Sequence, residues 1–465
     1  MTDDIAHLSA FELVDHYRQG VLSPVEATLA CLQRIDDVNP ALNAMNLVDA
    51  DGALAAARAS EERWAKNRPI GPVDGVPTTV KDLVLARGWP TLRGSKTVDP
   101  EQPWIEDAPA VARLREAGAV LIGRTTTPEM GWKGVTDSPL TGITRNPWDS
   151  GRTPGGSSGG AAVAAATGMA ALNIGTDGGG SIRIPASFTG IYGLKPSYGR
   201  VPAHPLSPFG TIAHVGPMTR TVTDAALMLQ VIAQPDRRDW TAFPYQPENF
   251  LAAVQGDVKG VRIAYARTIG DYPVDPEVAA GVERAAATFR ELGASVEETT
   301  LPLTEASDVF FTHWTVGAAA MMTMIPEEKH ELMDPGLRRM AEAGARIGTI
   351  DFVKATMARQ RLGAAMNQFH ETYDLILLPA MQIPAFEVGH DVPSEGIYKD
   401  WPDWTPFTYP FNLTQQPAAS VPCGLTASGL PIALQIVGPP HGDAAVINAS
   451  RAFERAQPWP MPDPS

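Results

Sequence analysis

Apolar residues recur at helical spacing along the first 65 residues of the chain. The segment SAFELVDHYRQG (9–20) has apolar residues three and four positions apart and ends on a glycine. The segment SPVEATLACLQRIDDVNP (23–40) opens with Ser-Pro and carries a glutamate three residues after the serine, which is typical of a capped helix that its Asn-Pro pair would end. A third, alanine-rich helix is predicted over residues 48–66. Residues 1–65 are therefore predicted to form a helical segment packed on the core.

The pattern changes after this segment, where short apolar runs alternate with amphipathic stretches. Helices are predicted over residues 108–118, 275–293 and 351–369. Alternation of strand and helix predicts an α/β sheet with helices on its faces. No repeat or linker interrupts the pattern, so residues 66–465 are expected to form one large domain. The strands are predicted at VPTTVKDLV (76–84), AVLIGRT (119–125), GMAALNIGTD (168–177), YARTI (265–269), ASVEETTL (294–301) and DLILLPA (374–380).

Composition narrows the class of protein. The formal net charge is -15 and no cluster of four or more Lys and Arg occurs, which disfavours binding to nucleic acid or to an anionic membrane. The two cysteines, Cys31 and Cys423, are too few for a disulfide framework or a cysteine-based metal site. The first ten residues do not resemble a signal peptide, and no apolar run reaches membrane-spanning length. We expect a cytoplasmic protein.

Two segments rich in glycine and serine stand out, TPGGSSGGAAVAAATG (153–168) and TDGGGSIRIP (176–185). Three consecutive glycines are entropically costly, so the backbone beside Ser181 must do something that other residues would prevent. A small-residue helix and one short strand fit between the two segments. Such a connection would bring Ser157 and Ser181 to the same end of the sheet.

Two familiar motifs explain these segments poorly. Gly155, Ser157 and Gly159 satisfy the G-x-S-x-G pattern of a nucleophile elbow, but RNPWDSGRTPG before Ser157 indicates a loop and not the strand that this motif requires. A phosphate-binding loop is the other interpretation, since a glycine-rich turn before a helix offers N–H groups to an anion. The segment has neither G-K-[ST] nor G-x-G-x-x-G with a downstream acid, which disfavours nucleotide binding.

A serine nucleophile needs a base. His204 and His214 lie near the two segments, but both are in a proline-rich stretch where a structural or solvated role is the commoner one. Lys81, at the predicted end of a strand, can serve if burial lowers its pKa. Ser157 can relay the proton, because a hydroxyl both donates and accepts. The alternative is a structural lysine paired with Asp82.

The motifs VKDL, GGSSGG and GTDGGGSIRIPASFTGIYGLKPSYGRV closely resemble the amidase signature family, and the likeness extends over residues 5–460. It implies a central mixed β-sheet flanked by helices. It also implies hydrolysis of a C(O)–N bond through an acyl-enzyme, with no metal or organic cofactor. By this resemblance Ser181 is the nucleophile, Ser157 is the bridging serine preceded by a cis peptide bond, and Lys81 is the general base. The remaining family positions are supporting ones, namely Ser158, Asp177 and Arg183.

Two further sets of residues are expected to contact the substrate. The N–H groups around the nucleophile would stabilise the oxyanion of the tetrahedral intermediate. They belong to Gly178, Gly179, Gly180 and Ser181. The stretch PEMGWKG lies where relatives contact the acyl group, which makes Met130, Gly131 and Trp132 candidates for the substrate pocket. A later aromatic segment could line the pocket or pack its own loop onto the core, and it contributes Trp401, Trp404, Phe407, Tyr409 and Phe411.

The family includes several substrate classes, and the fold does not choose among them. The A subunit of the tRNA amidotransferase usually has K-D-N where this chain has Lys81-Asp82-Leu83, which disfavours that role. A non-catalytic binding relative is a further alternative. The favoured interpretation is an enzyme that hydrolyses a small apolar or aryl amide, anilide or carbamate. Its expected partner is a small-molecule amide, and a homodimer is left open.

Overall fold

The computed structural model describes residues 5–394 and 396–462. Both N-terminal helices begin as the sequence predicts. Ser9 and Glu12 form a capping box at helix Ala10–Gln19, and Ser23 and Glu26 form another at helix Pro24–Leu42. In each box the serine side chain accepts the backbone N–H of the glutamate while the glutamate side chain returns to the backbone N–H of the serine, so two otherwise unpaired donors are satisfied.

The N-terminal segment is not all helical, which differs from the prediction. Its second helix continues through Pro40 to Leu42, because Asn39 and not the proline organises the exit. The Asn39 side-chain oxygen accepts the N–H groups of Ala44 and Met45, each at 2.8 Å. The chain then forms an edge strand of the main sheet, which a helix-only prediction misses. Residues 1–4 lie outside the described residues, and the division of the chain at residue 65 stays a prediction.

Thirteen strands occur in the described part of the chain, namely β1 Met45–Val48, β2 Pro77–Lys81, β3 Val120–Thr125, β4 Asp137–Ser138, β5 Gly142–Ile143, β6 Leu172–Asp177, β7 Tyr192–Lys195, β8 His214–Thr219, β9 Arg262–Tyr265, β10 Ser295–Glu298, β11 Leu375–Pro379, β12 Ala418–Leu425 and β13 Pro431–Val437. Eleven of them form one mixed sheet in the order β1-β3-β2-β6-β8-β7-β12-β13-β11-β9-β10. β2 pairs in parallel with β3 and β6, and β9 pairs in parallel with β10 and β11. The central strands between these groups are antiparallel.

Helices cover both faces of the sheet, as β11 shows most directly. Leu375 and Leu377 belong to one apolar core, while the alternate residues Ile376 and Leu378 belong to the other. Successive side chains of a strand point to opposite faces, so the sheet is buried between two layers. The helices are Ala10–Gln19, Pro24–Leu42, Ala50–Ala65, Pro109–Glu116, Gly159–Ala166, Arg183–Thr189, Val222–Ile232, Phe250–Ala253, Pro276–Glu291, Ala306–Met322, Pro335–Ala345, Thr349–Thr372, Pro410–Leu413 and Asp443–Ala456.

The predicted fold class, a single domain with a central mixed sheet flanked by helices, is confirmed. Five of the six predicted strands are present, and the sixth is misplaced. The pattern predicts a strand at YARTI (265–269), but the strand is Arg262–Tyr265 and the chain leaves the sheet after Tyr265, where its pairing with β11 ends. Among the described residues, no helix has the length and apolar character needed to span a membrane.

Candidate active site

Two neighbouring parallel strands, β2 and β6, end side by side at one edge of the sheet. Thr79 lies opposite Asn173 and Val80 opposite Ile174, so the residues that follow on each strand meet there. Lys81 is the last residue of β2, and its side chain is fully buried. The parallel register thus delivers a buried amine to the place where the glycine-rich loop after β6 begins.

Three hydroxyls surround the Lys81 amine. Nζ lies 2.7 Å from Ser157 Oγ, 2.8 Å from Ser158 Oγ and 2.9 Å from Thr176 Oγ1. Burial lowers the pKa of Lys81 well below its ordinary value, because removing an ammonium from water is costly, and the charge of Asp177 opposes this shift only in part. The surroundings therefore favour a neutral amine.

The alternative, a lysine paired with Asp82, does not match the structure. The Asp82 carboxylate accepts the N–H groups of Leu92 at 3.0 Å and Gly94 at 3.1 Å, and it lies 3.8 Å from Arg124 Nη1. Within residues 5–394 and 396–462, no ion pair joins Lys81 to Asp82. The Asp82 carboxylate therefore holds the loop at Leu92 and Gly94 in place, while the Lys81 amine contacts Ser157 and Ser158.

Ser158 ties the two glycine-rich segments together. Its hydroxyl donates to the Thr176 carbonyl at 3.1 Å and accepts the Thr176 N–H at 3.2 Å, while its own N–H donates to the Ser181 carbonyl at 3.1 Å. The peptide bond between Gly156 and Ser157 is cis. Both Ser157 and Ser181 line one cavity, as the sequence predicts, and the Ser181 hydroxyl makes no hydrogen bond within the described part of the chain.

The three consecutive glycines are required by what lies behind them. A Cβ on Gly178 would lie 2.9 Å from the Trp314 ring, and one on Gly179 would lie 2.6 Å from the Phe310 ring. Gly180 has a φ of +132°, and a Cβ there would overlap the Thr408 side chain. Any side chain at these positions would therefore push the loop away from the aromatic core behind it.

Asp177 and Arg183 hold the ends of this loop from inside. All five guanidinium N–H donors of Arg183 are used: two bind Asp177, and three bind acceptors on Thr408, Asn412 and Gln435. Burial disfavours the Asp177 carboxylate, but the charge and hydrogen bonds of Arg183, the charge of Lys195 and the hydrogen bond from Asn412 together outweigh burial and hold the pKa of Asp177 well below its usual value. The loop between Asp177 and Arg183 therefore encloses a buried ion pair of these two residues.

One of the four N–H groups expected to face the oxyanion is engaged elsewhere. The Gly180 N–H donates to Asp177 Oδ1 at 2.8 Å, so the expectation for Gly180 is corrected. The N–H groups of Gly178, Gly179 and Ser181 donate to no protein acceptor within the described ranges. These three are available to a ligand beside Ser181.

A cavity of about 190 Å³ opens beside the serines. Two of the residues expected in the substrate pocket, Met130 and Gly131, line it, together with residues 197–199 and 201–210. Trp132 does not line it: this side chain is 4% exposed, its ring packs against Gly336, and its carbonyl accepts the Trp314 indole N–H. The structure therefore gives the Trp132 side chain no place in the cavity wall, unlike Met130 and Gly131.

The later aromatic segment packs its own loop onto the core, which is the second of the two interpretations. None of its five rings lines the cavity, and each is at most 3% exposed. Trp401 supports the glycine loop from behind, since a Cβ on Gly179 would lie 3.0 Å from its ring. The rings are Trp401, Trp404, Phe407, Tyr409 and Phe411.

His214 has a structural place. Its Nδ1 lies 3.1 Å from the Asp177 carbonyl and 2.8 Å from the Ile212 carbonyl, so this nitrogen carries the proton and braces the loop. Burial lowers the pKa of His214 well below its usual value. His204 is partly exposed, 3.8 Å from Glu106. No group of metal-ligating side chains occurs in the part of the chain that the structure describes.

The cavity residues that sequence reasoning missed include Arg93, Met321 and Met324. Arg93 follows the end of β2 by twelve positions, in a loop with no recognisable motif. The two methionines belong to the distant end of helix Ala306–Met322 and the turn after it. No local pattern marks these positions, because only the tertiary packing brings them to the serines.

A large mixed sheet that presents a buried lysine to two serines in glycine-rich loops is the architecture of a serine hydrolase that acts on amides. A family model described as Amidase matches residues 26–447, and the chain belongs to this amidase signature family of hydrolases of amide C–N bonds.

Individual relatives cover the chain almost completely. An acylamidase of Rhodococcus erythropolis is 37% identical over 99% of this chain and 98% of its own length. The A subunit of a glutamyl-tRNA(Gln) amidotransferase from Geobacter metallireducens is also 37% identical, over 98% of each chain. The crystal structure of a bacterial aryl acylamidase superposes with a TM-score of 0.91 at 33% identity, covering 97% of this chain and 96% of that one.

Proposed function

We propose that this protein hydrolyses a small apolar or aryl amide, anilide or carbamate through an acyl-enzyme on Ser181. The observation that carries the proposal is the placement of the Lys81 amine, fully buried and 2.7 Å from Ser157 Oγ. A neutral amine there is a base within direct reach of a serine hydroxyl. Ser157 and Ser181 share the wall of one cavity, so a substrate carbonyl can approach Ser181 from that space.

Hydrogen-bond capacity sets the direction of proton flow. A neutral amine has two N–H donors and one lone pair, and Lys81 has three hydroxyl neighbours. The Ser158 hydroxyl proton is directed to the Thr176 carbonyl, so Ser158 accepts from the amine. Thr176 Oγ1 can take the second N–H. The lone pair then faces Ser157, which gives its proton to Lys81 and takes one from Ser181.

The chemical steps follow from that path. Ser181 Oγ attacks the carbonyl carbon, and the oxygen that becomes negative accepts N–H groups from Gly178, Gly179 and Ser181. Ser157 returns a proton to the leaving nitrogen, the C–N bond breaks, and the acyl group remains on Ser181. Water then attacks the carbonyl carbon of the Ser181 ester and gives its proton to Ser157 and Lys81. These residues return a proton to Ser181 Oγ, and the acid is released. Each donor to the oxyanion contributes about 2.7–4 kcal/mol to stabilising the transition state.

The substrate class is supported by the cavity walls and by the relatives. Leu83, Val84, Val201 and the two methionines Met321 and Met324 give the cavity an apolar wall, which suits an alkyl or aryl group. Two of the similar proteins are an acylamidase and an aryl acylamidase. We extend that chemistry to this chain as part of the proposal.

A second candidate is the A subunit of an amidotransferase, because relatives of that description match this chain at up to 37% identity. That role would require hydrolysis of glutamine and a stable complex with other subunits. The two candidates differ in substrate, which is glutamine for the amidotransferase subunit and an apolar amide for the first candidate.

The homodimer and the cytoplasmic location stay predictions, to be checked by light scattering and cell fractionation.

The deciding experiment combines a substrate panel with labelling of the nucleophile. Alkyl amides, anilides, carbamates, esters and glutamine are compared by kcat/KM, and a fluorophosphonate adduct is mapped by mass spectrometry. We expect turnover of an anilide, an adduct on Ser181, and loss of both in Ser181→Ala. Ser428→Ala, an exposed serine in the turn between β12 and β13, is the matched control. Anilide turnover in folded Ser181→Ala would refute the acyl-enzyme, and turnover of glutamine alone would favour the amidotransferase.

A further inference from the structure

Arg93 lines the same cavity as Ser157 and Ser181. The Arg93 carbonyl accepts the Met130 N–H at 2.7 Å. The next residue, Gly131, lies against Ser157, since a Cβ there would be 3.3 Å from Ser157 Oγ. Arg93 has a φ of +57° and Met130 a φ of +53°, so both turns are tight where the two segments meet. This contact fixes the Arg93 backbone relative to Ser157.

The Arg93 guanidinium makes no hydrogen bond and no ion pair with any residue in the ranges 5–394 and 396–462. Two other buried arginines near the site are engaged: Arg183 donates five hydrogen bonds, and Arg124 donates through Nη1 and Nη2 to backbone carbonyls and to Thr91, although its Nε has no partner among the described residues. Burial lowers the pKa of Arg93 and the charge of Asp82 opposes this shift, but the Asp82 oxygens accept the N–H groups of Leu92 and Gly94, on either side of Arg93, and Asp82 forms its ion pair with Arg124.

Arg93 also lines a second cavity, of about 490 Å³, that adjoins the first. The two cavities share four residues, which form the wall between them: Arg93, Met130, Met321 and Met324. Two carboxylates of the second cavity have other partners, since Asp99 accepts the Glu101 N–H at 3.0 Å and Glu106 lies 3.8 Å from His204. A half-buried cation thus lines both spaces, and in the described part of the chain no carboxylate lies within ion-pair distance of it.

We propose that Arg93 binds a carboxylate of the substrate, so that the preferred amide has an apolar body and a carboxylate held at the junction of the two cavities. A partly desolvated guanidinium gains most from an anion, and its planar fork fits the two oxygens of a carboxylate. The methionines beside it accommodate the apolar body. This inference rests on the proposed amide hydrolysis and narrows its substrate class.

The test uses pairs of amides that differ only in one charged group. Glutaryl 4-nitroanilide against pentanoyl 4-nitroanilide places the carboxylate on the acyl side, and 4-acetamidobenzoate against 4-methylacetanilide places it on the leaving amine. The measured quantity is the ratio of kcat/KM for the charged over the neutral member. The proteins are the full chain and the variants Arg93→Gln, Arg93→Asn and Arg93→Lys. Arg87→Gln, an exposed arginine outside both cavities, is the matched control.

We expect one of the two pairs to show a ratio above ten, which identifies the side that carries the carboxylate. Arg93→Gln should lower this ratio roughly 10- to 100-fold, the range for a hydrogen bond to a charged group. Arg93→Lys should keep an intermediate ratio, because it retains the charge and loses the fork. Arg87→Gln should keep the ratio of the unaltered protein. Arg93→Asn guards against misfolding, since asparagine tolerates positive φ.

The failure of this inference is distinct from the failure of the proposed function. Neutral anilides that are hydrolysed with both ratios near one, or a ratio that Arg93→Gln and Arg93→Asn leave unaltered, would overturn the role of Arg93. No turnover of any amide and no label on Ser181 would overturn the function instead. In that case the binding of the charged amides is measured by calorimetry. If Arg93 holds the carboxylate, these amides should bind Arg93→Gln at least tenfold more weakly than they bind the full chain.

Discussion

Asp177 and Arg183 form a two-point ion pair in which Arg183 Nε and Nη2 each lie 2.9 Å from a different oxygen of the carboxylate. Both side chains are fully buried. The five residues between them include the three glycines and Ser181. The pair therefore closes the loop of the nucleophile from behind, while the loop's front faces the cavity.

Removing the arginine should destabilise the protein. Arg183→Met leaves the Asp177 carboxylate buried without its cation, which costs about 3–5 kcal/mol of the free energy of unfolding. The folded-state pKa of Asp177 is depressed, so its contribution to stability is present above the unfolded pKa of about 3.9 and is lost as pH falls through the folded value. Arg183→Met should accordingly unfold at a higher pH on acidification. Urea unfolding at pH 7 and an acid titration followed by circular dichroism measure both effects.

The control for this prediction is an exposed ion pair. Arg361 lies 3.1 Å from Glu305, with both side chains more than half exposed. Arg361→Met should change the free energy of unfolding by at most about 1 kcal/mol, because solvent screens such a pair. Equal losses in the two variants would contradict a special role for the buried pair.

Loss of the Lys81 amine should abolish the proton path. Lys81→Met is expected to lower kcat/KM about 10²–10⁴-fold, the usual contribution of a positioned general base. The base acts in its neutral form, so kcat/KM should rise with pH as Lys81 loses its proton. Because burial lowers the pKa of Lys81, this rise should be complete well below the ordinary lysine value of about 10.4. A pH profile of kcat/KM checks this, and a rise centred above pH 10 would contradict it.

Ser158 should act as a positioning residue for the amine. Its oxygen lies 2.8 Å from Lys81 Nζ, and as an acceptor it favours the charged form. Ser158→Ala should lower kcat roughly tenfold and move the acidic limb of the pH profile to lower pH. Ser420→Ala is the matched control, because the buried Ser420 hydroxyl has no partner in the described part of the chain and its removal should leave activity unaltered. An unmoved limb in Ser158→Ala would rule out the positioning role.

Gly180→Ala should weaken both stability and activity. The new methyl group would overlap Thr408, and alanine at a φ of +132° is strained. We expect a loss of more than about 2 kcal/mol in the free energy of unfolding, from strain and overpacking together. Gly363 lies within helix Thr349–Thr372 with open space around its Cα, so Gly363→Ala should stabilise the protein by about 0.5–1 kcal/mol. Chemical denaturation of both variants supplies the comparison.

Features with local causes were accessible from the sequence. A capping box involves residues three positions apart, so Ser23 and Glu26 marked the start of their helix correctly, and the box of Ser9 and Glu12 has the same spacing. Lys81 meets Thr176 because parallel strands place their carboxyl ends together, whereas the contact of Lys81 with Ser157 was predicted from the need for a proton relay. The same reasoning could not decide whether an aromatic ring faces substrate or core, because Trp132 and Trp401 differ from cavity residues only in their distant partners.

Two details of the site depended on geometry that residue types do not encode. The N–H of Gly180 points to Asp177, and only the winding of the loop around that carboxylate decides this. Arg93 and Met321 reach the cavity from segments more than two hundred residues apart. Their contribution became visible only when the sheet and the helical layer were assembled.

The chemical groups beside Ser181 and the outer part of the cavity come from different stretches of the chain. The chemical groups lie on β2 and on residues 157–183, whereas much of the outer cavity is formed by residues 197–199 and 201–210 and by the end of helix Ala306–Met322. Insertions or exchanges in those outer stretches can alter which molecule fits while the proton path keeps its dimensions. A laboratory that wishes to redirect this catalyst should therefore build its libraries there, and it can leave the strand-end lysine and both serine loops untouched.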